Sequence, residues 1–244
     1  MKILISQHVP SNLAPYEILQ NQYGAELAFH PFFLIEPLSA KEFRAEHINL
    51  PDYTAIIFSS RHAIDAYFKL CEEMRFKVPE TMKYFCSTEA VAMYLQKHIV
   101  YRKRKIFYGT GTPASIAALI TAKHKGEKFL VASSEGSNTA PLTSHLDAAG
   151  LDYSVGVLVK AVCQDLRGLD LSSYDIAVMC NPADVVSLRE NFPDFRQGEL
   201  KLISFGKAVV RTLEETGFSI AFKAPTPEAT SISKAIELYL QSTR

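Results

Sequence analysis

The sequence predicts an α/β protein made of two similar parallel-sheet domains. Three observations predict it. Short apolar runs of strand type alternate with segments of helical type, blocks of the first half recur in the second, and 244 residues suffice for two small domains. Strands that alternate with helices pair in parallel, because each helix returns the chain to the edge where the next strand begins.

The first repeated block opens each copy with a strand followed by a helix. The apolar strand Lys2–Ser6 recurs 126 residues later as Lys128–Ala132. The same offset relates Ser11–Asn12 to Ser137–Asn138, Ala14–Pro15 to Ala140–Pro141, and Gly24 to Gly150. A polar cap, a first-turn proline and a closing glycine predict a helix after each of the two strands.

Three further blocks repeat, with offsets that shorten along the chain. They are the strands through Ala55 and Ala177 at 122 residues, the strands from Lys83 and Lys201 at 118, and the helix starts Thr112–Pro113 and Thr226–Pro227 at 114. Changes in loop length between two copies would give such a drift. We therefore expect an internal duplication, and not merely the strand–helix alternation that any doubly wound protein has.

Composition argues against several functional classes. The 26 Lys and Arg residues balance 26 Asp and Glu, so we expect no nucleic-acid partner and no anionic membrane surface as partner. The four cysteines lack Cys-x-x-Cys spacing and the seven histidines do not cluster, so we expect reduced thiols and no metal site. The apolar start of the chain is too short for a signal peptide, which predicts a cytoplasmic protein.

Small or polar residues stand where the predicted strands end. They are Ser59–Ser60, Ser87–Thr88, Ser133–Ser134, Asn181 and Gly206. Open parallel sheets bind ligands at the carboxyl ends of their strands, and the N–H groups of the helices that follow favour anions. Helix capping alone would explain any single one of these residues, but their number favours an anion site in both domains.

In this order and spacing, the blocks resemble the uroporphyrinogen-III synthase family over nearly the whole chain. The most specific segments are Ile57–Ser60 and Ala224–Glu228, and the segment Phe85–Leu95 between them also matches the family's pattern. The resemblance implies a lyase of heme biosynthesis that closes the linear tetrapyrrole hydroxymethylbilane to uroporphyrinogen III. Water is lost and the last pyrrole ring is inverted, without a cofactor or metal.

The resemblance also implies how the chain is divided. One α/β domain would take residues 1–35 and 163–244, and an inserted α/β domain residues 39–156. Segments 33–38 and 157–162 would be linking strands, with a cleft between the two domains. A monomer that binds its substrate through the carboxylates of the tetrapyrrole is the expected form. The periodicity of the sequence does not itself show this crossover.

The family's strand-end motifs match Ser59, Ser60, Ser87, Thr88, Asn181 and Gly206, and Thr226 lies in the family-like segment Ala224–Glu228. Ser133, Arg61, His62 and Lys207 are added because they stand at or beside the same strand ends, although the last three could equally be exposed first-turn residues. The expected substrate-binding residues are Ser59, Ser60, Arg61, His62, Ser87, Thr88, Ser133, Asn181, Gly206, Lys207 and Thr226. The family often has a tyrosine on the second linking strand that helps the hydroxyl group to leave, and its position here is Leu158. The catalytic residue is thus left unassigned, and Leu158→Tyr is expected to raise the rate if that tyrosine matters.

Two other functions are open at this stage. A catalytically impaired paralogue would bind a tetrapyrrole or another polycarboxylate without turnover, as the missing tyrosine and the missing threonines after Gly206 would allow. A sugar- or nucleotide-binding module could also consist of two α/β domains. The lack of a glycine-rich phosphate loop and of a signal sequence argues against that module.

Overall fold

The computed structural model describes residues 1–120 and 122–243, and its contacts divide the chain into two compact units. Unit 1 is Met1–Leu34 with Val162–Arg244, and unit 2 is Ile35–Ala161. Each boundary falls inside a segment that the family resemblance gives as a linking strand. Among the described residues, no helix combines the length and the apolar character needed to cross a membrane.

Strands and helices alternate along most of the chain. The strands are β1 (Lys2–Ile5), β2 (Glu26–Phe29), β3 (Phe33–Pro37), β4 (Ala55–Phe58), β5 (Lys83–Cys86), β6 (Ile106–Tyr108), β7 (Lys128–Ser134), β8 (Asp152–Cys163), β9 (Ile176–Met179), β10 (Lys201–Phe205) and β11 (Ile220–Ala224). The α-helices are α1 (Ala14–Tyr23), α2 (Ala40–Phe43), α3 (Arg61–Glu73), α4 (Glu89–Tyr94), α5 (Pro113–Leu119), α6 (Ala140–Ala148), α7 (Pro182–Asn191), α8 (Lys207–Glu215) and α9 (Ile232–Ser242).

Each unit contains one sheet. The sheet of unit 1 has the order β11-β10-β9-β1-β2, and all its neighbouring strands are parallel. The sheet of unit 2 has the order β3-β8-β7-β4-β5-β6, and the five strands from β8 to β6 are parallel. The predicted α/β class with two parallel sheets is therefore confirmed.

The two sheets have the same order of corresponding strands, as a duplication requires. Strands β2-β1-β9-β10-β11 of unit 1 correspond to β8-β7-β4-β5-β6 of unit 2. The offset of 122 residues that the sequence match gave for β4 and β9 is wrong by one residue when compared with the strand pairing. Leu4 pairs with Ala177, whereas its counterpart Leu130 pairs with Ile56, which gives an offset of 121. With this offset, the helix caps Ser60 and Asn181 are equivalent.

The central strands are buried on both faces, because helices cover each side of each sheet. All four residues of β4 are buried. Ile56 and Phe58 pack into one hydrophobic cluster of unit 2, and Ala55 and Ile57 pack into the other. Continuous apolar strands such as this one are typical of parallel sheets covered by helices. Because the side chains along the strands are apolar and buried, the polar side chains lie at the strand ends.

The two helices predicted in the first repeated block are confirmed as α1 and α6, but the predicted capping asparagines stand one position too early. Gly24 and Gly150 close α1 and α6 with φ of 62° and 64°, a left-handed conformation that glycine adopts without strain. The asparagines precede the cap position by one residue. Asn12 accepts a hydrogen bond from the Ala14 N–H, and Asn138 accepts one from the Ala140 N–H.

The two linking segments lie in β3 and β8, which are neighbours in the sheet of unit 2. Residues 157–162 do not form a separate strand. They continue β8, which runs for 12 residues from Asp152 to Cys163. The Leu38 N–H donates to the Leu158 carbonyl at 2.8 Å.

A buried carboxyl group closes the turn between β9 and α7 in unit 1. Asp184 Oδ2 accepts hydrogen bonds from Ser6 Oγ at 2.6 Å and from the N–H groups of Cys180 and Asn181, each at 2.8 Å. Its other oxygen, Oδ1, is buried without a partner among the described residues. Desolvation raises the pKa of Asp184 to about 6, although these hydrogen bonds oppose the rise.

We predict that Asp184→Asn becomes more favourable relative to the wild type as the pH rises from about 4 to 7. The folded protein holds a proton on Asp184 that the unfolded chain releases near its ordinary pKa of 3.8. The wild type therefore loses stability as the pH rises through both values, by about 3 kcal/mol for two pKa units. Urea unfolding of both proteins across this range measures the difference. Asp194→Asn, at an exposed carboxyl group of the same unit, is the control, and parallel curves for wild type and Asp184→Asn would contradict the prediction.

Candidate functional site

The carboxyl edge of the unit 2 sheet brings together hydroxyl groups from three strand ends. Ser59 follows β4, Ser87 follows β5, and Ser133 lies near the end of β7. Ser87 Oγ donates to the Ser59 carbonyl at 3.2 Å, and the Ser87 N–H donates to the Phe58 carbonyl at 2.9 Å. The predicted clustering of these serines at one sheet edge follows from the parallel pairing of their strands.

A cavity of about 300 Å³ opens at this edge, between the ends of β4 and β7 and the start of α6. Its polar lining residues are Ser59, Ser133, Ser134, Ser137, Asn138 and Thr139. Ser133 Oγ and Ser137 Oγ are 2.7 Å apart and share a hydrogen bond. Ser133 is a predicted site residue, whereas Ser137 and Asn138 are predicted only as the cap of a helix and Thr139 is not predicted. Their position directly after a strand end is the signal that could have identified them.

Several of the predicted hydroxyl groups cap the helix that follows them. Ser60 Oγ accepts from the Ala63 N–H at 3.1 Å, and Thr88 Oγ1 accepts from the Val91 N–H at 3.4 Å. The expectation that these helix starts offer free N–H groups to an anion is therefore only partly met. Ser59 is exposed at the same turn and remains available.

Two basic side chains lie in the first turn of α3. Arg61 and His62 are both exposed. The guanidinium carbon of Arg61 is 5.4 Å from the centroid of the Tyr94 ring, a cation–π distance. This edge thus carries positive charge beside the hydroxyl groups.

The carboxyl edge of the unit 1 sheet contains the remaining predicted residues. Gly206 begins α8 with φ of 131°, a region that residues with side chains rarely adopt, and its N–H donates to the Ala224 carbonyl at 2.7 Å. No side chain caps α8. Lys207 is exposed in its first turn. Thr226 Oγ1 accepts from the Ala229 N–H at 3.0 Å and donates to Glu228 at 3.2 Å.

The side chain of Asn181 caps the start of α7. Its Oδ1 accepts from the Ala183 N–H at 3.0 Å, and its own N–H donates to Asp184. The N–H groups at this turn are thus used by the protein itself. Of the two helix starts in unit 1 that follow β9 and β10, only that of α8 is without a capping side chain.

The position expected for the family tyrosine lies in the hydrophobic core. Leu158 is 0% exposed and packs into a cluster of unit 2. Tyr153 donates to Asp147 at 2.8 Å and packs against the other cluster of unit 2, in keeping with a packing role. Burial raises the pKa of Cys86 and of Cys180 to about 12, so both thiols are neutral and poor nucleophiles.

The structure also contains a second cavity, away from the predicted site. A larger cavity, of about 950 Å³, lies in unit 1 where β9 and β10 begin, at the opposite end of the strands from the predicted site. Within residues 1–120 and 122–243, no group of three or more His, Cys, Asp or Glu side chains is arranged to hold a metal ion.

Comparison with known proteins identifies the family. The family model described as uroporphyrinogen-III synthase HemD matches residues 16–234. A uroporphyrinogen-III synthetase from Helicobacter pylori shares the fold, with a TM-score of 0.60, 18% identity, and coverage of 100% of this chain and 99% of that one. A mutant uroporphyrinogen III synthase from Thermus thermophilus has a TM-score of 0.53, 14% identity and 99% coverage of both chains.

A search of curated proteins finds no significant sequence match. The family model nevertheless spans far more than half of the chain, and the resemblance inferred from the strand ends is confirmed. It favours a synthase over a sugar- or nucleotide-binding module. The chain belongs to the uroporphyrinogen-III synthase family.

Proposed function

We propose that the protein closes hydroxymethylbilane by holding the carboxylates of the linear tetrapyrrole at the carboxyl edges of its two sheets. The activity follows from the family match over residues 16–234, which is the observation that carries the proposal. A uroporphyrinogen-III synthase is a lyase that cyclises this substrate without a cofactor. The proposal therefore concerns the residues of this chain that bind and orient hydroxymethylbilane.

The reaction sets the requirements for the site. The terminal hydroxyl group leaves as water, and the pyrrole nitrogen stabilises the cation that is left on the methylene carbon. The last ring then attacks this carbon through its substituted position, forms a spiro intermediate and is inverted. Holding the chain curled converts the closure into a positioned intramolecular step, and fixed dipoles stabilise the cation.

In unit 2, the hydroxyl-lined cavity and the adjacent basic turn support carboxylate recognition. Ser59 and the hydroxyl pair Ser133–Ser137 would donate hydrogen bonds to a substrate carboxylate, and Arg61 would add a charge-assisted hydrogen bond. Ser87 would mainly shape the edge, since its hydroxyl group donates to the Ser59 carbonyl, whereas Ser60 and Thr88 accept from helix N–H groups and keep their hydroxyl protons. His62 is exposed beside Arg61 and would contact the same part of the substrate.

In unit 1, the start of α8 is the better candidate for an anion. Its first-turn N–H groups lack a capping side chain, and Lys207 adds a positive charge. Thr226 lies just beyond β11, the strand paired with β10, and would shape this edge, since its hydroxyl group already donates to Glu228. Asn181 would act by capping α7, and not as a principal substrate ligand.

The first prediction from this proposal is that the purified protein converts hydroxymethylbilane to the type III isomer without added metal or cofactor. The substrate closes spontaneously to the type I isomer, in which the last ring is not inverted. Separation of the two isomers therefore measures the activity directly. If only the type I isomer forms, at the spontaneous rate, the impaired paralogue that binds without turnover becomes the better description.

The second prediction is that Gly206→Val weakens substrate binding more than Ser59→Ala does. The valine would strain the backbone at φ of 131° at the start of α8, although its Cβ would make only an ordinary contact, at 3.6 Å, with Val209 Cγ2. Loss of one serine hydrogen bond costs about 0.5–1.5 kcal/mol. The KM for hydroxymethylbilane is the measurement.

A matched control for this comparison is Gly217→Val at the other end of α8. Gly217 also has a left-handed conformation, with φ of 78°, so valine there strains the backbone away from the strand ends. It should lower the unfolding temperature and leave the KM unchanged. If Ser59→Ala abolishes binding in a folded protein, a single side chain dominates and the distributed recognition proposed here is wrong.

The third prediction is that Leu158→Tyr lowers stability and does not raise the rate, contrary to the expectation from the family pattern. Leu158 is fully buried, so a tyrosine would overpack the core by a cost of about 1–3 kcal/mol and leave its hydroxyl group inside. Urea unfolding and the initial rate of type III formation test both parts. Leu158→Met, which conserves volume, is the control, and a faster Leu158→Tyr enzyme would contradict the prediction.

A further inference from the structure

Tyr94, the last residue of α4, contacts two cations. The centroid of its ring is 5.4 Å from the guanidinium carbon of Arg61 and 5.3 Å from Lys97 Nζ. Cations at such distances are attracted to the negative face of an aromatic ring. The ring therefore restricts where the Arg61 side chain, at the start of the neighbouring helix α3, can place its charge.

Asp65, one turn into α3, fixes Tyr94. The Tyr94 hydroxyl group donates to Asp65 Oδ2 at 2.7 Å. The other oxygen, Oδ1, accepts from Lys97 Nζ at 3.1 Å and lies 2.7 Å from His98 Nε2. The His98 ring in turn stacks on Phe68, with centroids 4.5 Å apart and planes at 6°. Tyr94 is thus anchored by a connected network and not by one contact.

The network keeps Asp65 ionised. Desolvation raises the pKa of Asp65, but hydrogen bonds from Tyr94, His98 and Lys97 outweigh it and bring the pKa below its ordinary value. An ionised carboxylate is a strong acceptor for the Tyr94 hydroxyl group. Lys97 forms an ion pair with Asp65 and so balances its negative charge.

Arg61 differs from Lys97, because it has no acidic partner within residues 1–120 and 122–243. Its guanidinium group contacts the Tyr94 ring and forms no ion pair with these residues. It is the residue that follows Ser59 and Ser60 at the carboxyl edge of the sheet. A guanidinium group that is oriented, exposed and without a carboxylate partner is suited to bind a carboxylate from outside.

We propose that Tyr94, anchored by Asp65, is a positioning residue that holds Arg61 ready for a carboxylate of the tetrapyrrole. The inference rests on the proposed function and extends it to residues that do not touch substrate. Orienting Arg61 before binding reduces the side-chain freedom that is lost when the substrate arrives. The benefit appears in binding affinity, and the chemical step itself does not need Tyr94.

A double-mutant cycle between Tyr94 and Arg61 tests the proposal. Two quantities are measured for each variant: the dissociation constant for uroporphyrin III, by fluorescence, and KM with kcat for type III formation. Tyr94→Leu should raise the dissociation constant and KM about three- to tenfold and leave kcat within about twofold. Arg61→Ala should raise them at least as much. The double variant should be no worse than Arg61→Ala alone, because Tyr94 acts through Arg61.

Two conservative variants refine the test. Tyr94→Phe retains the ring but loses the hydrogen bond to Asp65, so its dissociation constant should lie between those of the wild type and Tyr94→Leu. Asp65→Asn should have an effect similar to that of Tyr94→Phe. The effects should be larger at low salt than at high salt, since exposed charges are screened. Thermal unfolding of each variant verifies that it is folded.

A matched cation–π pair at the opposite edge of the same sheet supplies the control. Lys128 Nζ is 5.3 Å from the centroid of the Tyr53 ring, where β4 and β7 begin. Lys128→Ala removes a cation–π contact of similar length far along the strands from the proposed site. It should leave the dissociation constant, KM and kcat unchanged.

The outcomes separate the two proposals. Additive effects of Tyr94→Leu and Arg61→Ala would overturn the positioning role, as would an unchanged dissociation constant in either single variant. If the wild type forms type III isomer but the cycle shows no coupling, only this inference fails. If it forms none, yet binds uroporphyrin III with the coupled pattern, the proposed activity fails and the positioning role stands. A wild type that neither forms type III isomer nor binds uroporphyrin III would overturn both.

Discussion

Parallel pairing of the strands is the constraint on which the rest of the structure depends. A connection between parallel strands usually returns through a helix, so the parallel strands of a unit end at one edge and the helices that follow them begin there. The small polar residues after β4, β5, β9 and β10 therefore lie at the carboxyl edges of the two sheets, although they are far apart in the sequence. Burial of both sheet faces by helices leaves these edges as the places where polar chemistry is accessible.

The duplication could be predicted from sequence, whereas its crossed connection could not. Residue identities at matched offsets revealed two copies, and both sheets have the corresponding strand order. Yet β1 of the first copy pairs with β9 of the second, and β7 of the second copy pairs with β4 of the first. Periodicity reports which face of a strand is buried but not which partner lies beside it. Only the family resemblance indicated the exchange, and even it did not show that residues 157–162 continue one long strand.

At the candidate site, sequence located the strand ends but not the state of each polar group. Whether a hydroxyl group is free depends on the helix that follows, and Ser60 and Thr88 prove to be caps while Ser59 remains exposed. Leu158 illustrates the same limit, since alignment to a family position does not tell which way a side chain points. The Asp65 network was also beyond sequence analysis. Its members are separated by 29 to 33 residues and meet only because α3 and the segment from α4 to His98 pack together.

The two helix starts of unit 1 show how one sheet edge can direct an anion to one of two similar turns. At α7, Asp184 uses the turn's N–H groups and, when ionised, adds a buried negative charge that repels a second anion. At α8, Gly206 has no side chain to use those groups, and Lys207 adds a positive charge. The equivalent turns of unit 2 differ from this division, because Ser60 caps α3 and Thr88 caps α4, and the exposed Arg61 beside Ser60 adds the positive charge. Under the proposed function, unit 1 would offer an uncapped helix start and unit 2 a cationic side chain, so a protein without net charge would still have local positive sites for a polycarboxylate.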